Sequence, residues 1–158
     1  MNRWKQLRKG LSLATCLLIS HAVAADISLN QPDSTGVNHK QGTYALGGEG
    51  PYGGKVFYVD ASGMHGFEAK TTDEINPMIW SDAVVTAQAY GSGWRLPTSS
   101  ELHLLYIHEK LIGGFDIDDY WSSTEQDVNS AWIQDFRIGD QDRYNKHSKL
   151  KVRAVRSF

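Results

Sequence analysis

What this 158-residue chain lacks narrows its chemistry first. It has one cysteine, Cys16, inside an apolar run near the N-terminus. If that segment is removed, no thiol remains for a disulfide or for cysteine chemistry, and stability must come from a hydrophobic core. The chain also lacks a long apolar segment. Residues 11–19 are apolar except for Ser12 and Thr15, far short of the roughly 20 residues that span a bilayer. There is no excess of positive charge either: 16 basic residues stand against 18 acidic ones.

What is present at the N-terminus reads as an address. Arg3, Lys5, Arg8 and Lys9 precede the apolar run, no acid occurs before Asp26, and Ala22-Val23-Ala24-Ala25 follows. This pattern predicts a signal peptide over residues 1–25, cut after Ala24 or Ala25. Leu13-Ala14-Thr15-Cys16 is a poor lipoprotein box, because Thr15 is unusual there and apolar sequence continues past Cys16. The expectation is an exported protein, periplasmic, cell-surface or secreted, with no stable membrane insertion after cleavage. The leader takes four basic residues and no acid, so the remainder carries 12 basic against 18 acidic residues, a net of −6. That balance argues against nucleic acid as a partner. The charge is uneven: seven of those 12 basic residues and only two acids lie in residues 137–156.

The pattern along the rest predicts one α+β domain over residues 43–158, after a polar lead-in at 26–42. Lys55-Val56-Phe57-Tyr58-Val59-Asp60 and His65-Gly66-Phe67-Glu68-Ala69-Lys70 read as an N-terminal hairpin around Ala61-Ser62-Gly63. Two consecutive helices follow. Ser81 is the expected cap of the first, which runs to about Ala89, with Val84, Ala87 and Gln88 at helical spacing. Thr98-Ser99-Ser100-Glu101 is a capping box for the second, after Pro97. Leu102, Leu105, Tyr106 and Ile112 form its apolar face, and Gly113-Gly114 closes it. A C-terminal antiparallel sheet is expected from residues 120–124, 131–138 and 150–156, with a turn at 139–142.

Several chemistries lack their motifs. Glycines 47, 48, 50, 53 and 54 lead into a strand, not a helix, and no Gly-Lys-Ser/Thr follows, so they are read as room for close packing. His103 and His108 are five apart, which does not match a helical zinc pair. Ser122 and Ser123 have no nucleophile elbow around them. No catalytic residue, metal ligand or cofactor is assigned. Asp116, Asp118, Asp119, Asp140 and Asp142 offer hard oxygens suited to calcium, but without an EF-hand pattern they read as solvated turns.

An ordered set of motifs points to a family. Trp80-Ser81-Asp82-Ala83 is followed by Gly93-Trp94-Arg95-Leu96-Pro97-Thr98 with Glu101-Leu102, then by Tyr120-Trp121-Ser122-Ser123-Thr124-Glu125 and Val152-Arg153-Ala154-Val155-Arg156. In combination these resemble the bacterial Lcl C-terminal domain family, named after a collagen-like adhesin, over about residues 43–158. The resemblance implies a C-type-lectin-like fold and an exported binding role, with sulfated glycosaminoglycans as the founding adhesin's ligands. The chain departs from that adhesin in having no collagen-like region. The Glu-Pro-Asn sugar-calcium motif of animal lectins is also missing: Glu74-Ile75-Asn76-Pro77 is not it.

The motif residues Trp94, Arg95, Pro97, Thr98, Glu101, Trp121 and Arg153 are read as structural. Arg95 is expected to pair with Asp82 or Glu101. The ligand-binding candidates are Arg143, Lys146, His147, Lys149 and Lys151, with Trp132 as an aromatic face for a sugar ring. If they share a face, they can hold the sulfates or carboxylates of an acidic glycan. Lysines on a strand edge also serve to deter wrong pairing. The expected function is a non-catalytic module for a sulfated or acidic glycan, another surface polymer or a cell-surface protein. A structural or interaction domain of a surface assembly, and a polymer hydrolase, are the alternatives the residues leave open.

Overall fold

A computed structural model describes residues 42–158. The predicted signal peptide, its expected cleavage point and all but the last residue of the expected lead-in lie outside the described residues. The element order is β1 (Lys55–Val59), β2 (Gly66–Ala69), α1 (Trp80–Ala89), α2 (Ser99–Ile107), α3 (Glu109–Ile112), β3 (Asp119–Glu125), β4 (Ser130–Asp135), β5 (Gln141–Asn145) and β6 (Val155–Ser157). The strands form two antiparallel three-stranded sheets, ordered β1-β2-β6 and β3-β4-β5. The fold class is therefore α+β. No helix among the described residues is long and apolar enough to cross a membrane.

The first hairpin forms where the sequence places it, with Lys55 opposite Ala69 and Val59 opposite Gly66. The glycine loop before it folds onto Glu68. The Tyr52 and Gly54 amides donate to the Glu68 carboxylate at 3.1 and 2.9 Å. Glu68 is fully buried, and a side chain on Gly50 would collide with its carboxylate. The glycines thus let the backbone close over a buried acid.

Two corrections concern the helices. The first helix starts at Trp80 with Ile79 as an N-cap that makes no side-chain bond, so Ser81 lies inside the first turn. The Trp80 indole donates to the Ser122 carbonyl at 2.8 Å, a tertiary anchor that sets the start in place of a cap. Its buried face is Ala83 and Ala87, while Gln88 is exposed. The second helical stretch has its capping box intact, but it is divided at His108 into α2 and α3. Leu102, Leu105 and Ile112 are buried as the periodicity requires.

Two more concern the strands. The expected turn at 139–142 is half strand, since Gln141 and Asp142 open β5 and the turn falls earlier, at 136–138, where the chain has left β4 after Asp135. The last segment is not one regular strand of the C-terminal sheet. Leu150 and Lys151 make isolated bridges to Met78 and Tyr120, and only residues 155–157 form β6. That strand pairs with β2, in the sheet of the first hairpin.

The reason lies in the core, which has two parts. One gathers Trp94, Leu96, Trp121, Ile133, Val152 and Ala154 with the α1 alanines. The other gathers Phe57, Leu102, Leu105, Tyr120, Phe136 and Val155. Neighbours such as Tyr120 and Trp121, or Ala154 and Val155, enter opposite parts, as strand alternation demands. The 152–155 run threads between both and is buried throughout.

Candidate functional site

The motif cations are committed to holding the fold together. Arg95 meets Glu101 with Nη1 to Oε2 and Nη2 to Oε1, both 2.7 Å, which selects Glu101 over Asp82. Glu101 also accepts from the Thr98 amide at 2.8 Å. Burial pushes the Glu101 carboxyl up, but the Arg95 guanidinium and the Thr98 bonds outweigh it and hold it below its ordinary value. Arg153 is buried. It donates to Asp73 at 2.6 Å and to the Lys70, Gly113 and Gly114 carbonyls, and it lies 3.9 Å from the Phe115 ring centroid. Asp73 in turn accepts from the Tyr120 hydroxyl. Trp94, Pro97 and Trp121 are buried.

The candidate basic group divides when the side chains are placed. Lys146 pairs with Glu125 at 2.5 Å, donates to the Asp127 and Val128 carbonyls, and lies over the Trp80 ring at 4.6 Å. Lys151 pairs with Asp116 at 2.5 Å. These two lysines are thus neutralised locally. Arg143, His147 and Lys149 are exposed, and among the described residues no carboxylate forms an ion pair with Arg143 or Lys149.

Arg143 is brought to Trp132. The two sit directly opposite each other on β5 and β4, so both side chains leave the same face of the sheet. The guanidinium carbon is 5.9 Å from the Trp132 ring centroid, and the indole is half-buried. Cross-strand pairing also puts Ser130 and Asn145 on this side at one end, and Gln134 and Gln141 at the other, where Gln134 is fully buried against His103 and only Gln141 is exposed. The Ser99 backbone borders the face, its amide donating to Thr124 and its carbonyl accepting from Gln141. The opposite face carries Ala131 and Ile133 into the core. Asp142 belongs to that side by register, across from Ile133.

Sequence reasoning missed this arrangement because β5 has no buried residue. An edge strand without apolar alternation leaves no period to find.

Two of the acidic candidates are held in ion pairs within the fold. Asp119 pairs with Arg137 at 2.7 Å and Asp116 with Lys151. Among the described residues no three His, Cys, Asp or Glu side chains converge as metal ligands. His103 reaches Gln134, with 3.2 Å between Nδ1 and Oε1. The hydroxyls of Ser122 and Ser123 donate to the Trp132 and Pro97 carbonyls.

The sequence model of the Lcl C-terminal domain matches residues 61–156, more than half of the chain. The chain belongs to the Lcl C-terminal domain family. The matched span of this Lcl C-terminal domain takes in every residue named in the Trp132–Arg143 face, and it leaves β1 and the glycine loop outside. No curated protein matches the chain.

Proposed function

We propose that this Lcl C-terminal domain is an exported, non-catalytic binding module that holds an acidic or sulfated glycan or another surface polymer. The observation that supports it is the Trp132–Arg143 pair: a half-buried indole beside a cation that has no carboxylate partner among the described residues. An aromatic face stacks on the apolar side of a sugar ring, and a guanidinium takes a carboxylate or sulfate through two parallel hydrogen bonds. Export rests on the leader pattern of residues 1–25. The C-type-lectin-like reading of the fold is part of the same proposal. It is supported by the sharing of one sheet between first and last strands, with Gly66 and Phe158 exchanging backbone hydrogen bonds at 3.0 Å.

The test is retention of the purified chain on immobilised acidic glycans, sulfated and unsulfated, beside a protein of equal net charge. Retention above that control, reduced by Trp132→Ala and by Arg143→Ala, is the expected result. Elution with the control from every column would remove the glycan reading. A second reading, an interaction domain of a surface assembly, is favoured by the fully exposed edge strand β5. It predicts a stable complex with a cell-surface protein and no glycan retention.

A further inference from the structure

We infer that the Trp132–Arg143 face selects a sparsely charged acidic polysaccharide, with about one anionic group per disaccharide, over a densely sulfated one. The inference rests on the glycan reading above and names the ligand class for that site.

The argument is one of charge density. A basic stretch in a sequence suggests a polyanion, but only if the cations share a surface and remain unpaired. Here Lys146 and Lys151 are each held by a carboxylate. Arg143 is the one cation that the register of β4 and β5 places on this face. Its accessible neighbours there are neutral: the exposed Asn145 and Gln141 and the half-buried Ser130, whereas Gln134 is fully buried. Amides and hydroxyls suit a polyhydroxylated ligand, and they give a sulfate no countercharge.

The ends of the face carry negative charge. At the Ser130 end, Asp127 accepts from the Ser130 hydroxyl at 2.7 Å and from the Asn129 and Ser130 amides at 2.8 Å. Those bonds, the Ser130 hydroxyl first, hold its carboxyl below the ordinary value, so it is ionised at neutral pH. At the Gln141 end stands the exposed Asp140, while nearby Asp135 is neutralised by Arg137. From Asn145 to Gln141 the exposed strand β5 rises about 14 Å, the reach of a short oligosaccharide. A ligand lying along it meets Arg143, the one cation of this face without a carboxylate partner among the described residues, in the middle, and Asp127 and Asp140 at the ends. One anionic group per repeat can be seated on Arg143 while uncharged rings cover Trp132. Several sulfates per repeat would bring like charges against Asp127 and Asp140.

The experiment uses one polymer backbone at two charge densities: heparin, and heparin fully desulfated and re-N-acetylated, which keeps only its uronic acid carboxylates. Affinity of the full chain for each is measured from 50 to 200 mM salt. With one anionic contact, counterion release predicts a loss of only roughly fourfold over that range; four contacts would lose over roughly a hundredfold. The expected result is binding of the desulfated polymer at least as tight as that of heparin, with the shallow salt dependence, abolished by Arg143→Ala. Tighter binding of heparin with the steep dependence would overturn this inference and leave the glycan reading standing. Binding of neither polymer would remove both. The central comparison is made on the unsubstituted chain, so no outcome depends on a variant folding.

Discussion

Arg95 and Glu101 form a two-pronged ion pair that also closes the N-terminus of α2. The same carboxylate that takes both guanidinium nitrogens accepts the Thr98 amide, while the Thr98 hydroxyl takes the Glu101 amide at 3.2 Å. Glu101→Ala removes the pair and half the capping box together. Arg95 is partly exposed, so the pair is screened, and the expected loss is about 2 kcal/mol. Urea unfolding of the variant would measure it. A loss no larger than that of a surface substitution would contradict the role.

Glu101 and Glu68 are both buried and should titrate in opposite directions. The Glu101 carboxyl is held below its ordinary value of 4.5, so its stabilisation is present above that pH and lost as pH falls through the native value. The Glu68 carboxyl is pushed up, chiefly by burial, against the Gly54 and Tyr52 amides and Arg156. Its contribution is therefore present below 4.5 and lost as pH rises through the native value. Relative to Glu101→Gln, the unsubstituted chain should gain stability from acid pH toward neutrality. Relative to Glu68→Gln it should lose stability over the same range. Urea midpoints at several pH values would show this, and slopes of equal sign would refute it.

Arg153 holds separate loops at one buried point. Arg153→Met leaves Asp73 without its cation and the Gly113 and Gly114 carbonyls without a donor. The expected cost is about 3–5 kcal/mol. Arg153→Lys should recover little, since an ammonium cannot reproduce the planar fork that serves all four acceptors. Thermal unfolding of the two variants side by side makes the comparison. A lysine variant as stable as the original would show that charge alone suffices.

Lys146 and Arg143 lie three residues apart and should fail differently. Lys146→Gln loses the Glu125 pair and the contact with Trp80, for about 1 kcal/mol of stability. Glycan retention should change little, because that ammonium is already occupied. Arg143→Ala should leave the melting temperature nearly unchanged and lower retention. If Lys146→Gln lowered retention as much as Arg143→Ala, the lysine would belong to the binding face after all.

Features carried by neighbours in the chain are legible in the residue order. The capping box needs only Thr98 and Glu101, three residues apart, and it forms as written. The first hairpin needs two β-branched and aromatic runs about a turn, and it pairs as expected. The burial of Trp94 and Trp121 follows from their place in the family motifs, beside strand and cap signals, and from the large apolar surface of tryptophan. The start of α1 escapes a local reading because Trp80 is anchored by Ser122, 42 residues away. The sheet that takes the last strand escapes it too, because a run between two cores lets no single face appear in its pattern.

The α+β class, the family motifs and the separation of an acidic body from a basic C-terminal stretch all follow from residue order. Which of those basic charges are free does not; that is settled by the folded chain. Charge pairing is a matter of a few ångströms between groups far apart in the chain: Asp73 finds Arg153 across 80 residues, and Glu125 finds Lys146 across 21. Composition counts the charges, but folding distributes them. Alternation and turns send Lys146 and Lys151 to carboxylates and leave Arg143 beside Trp132.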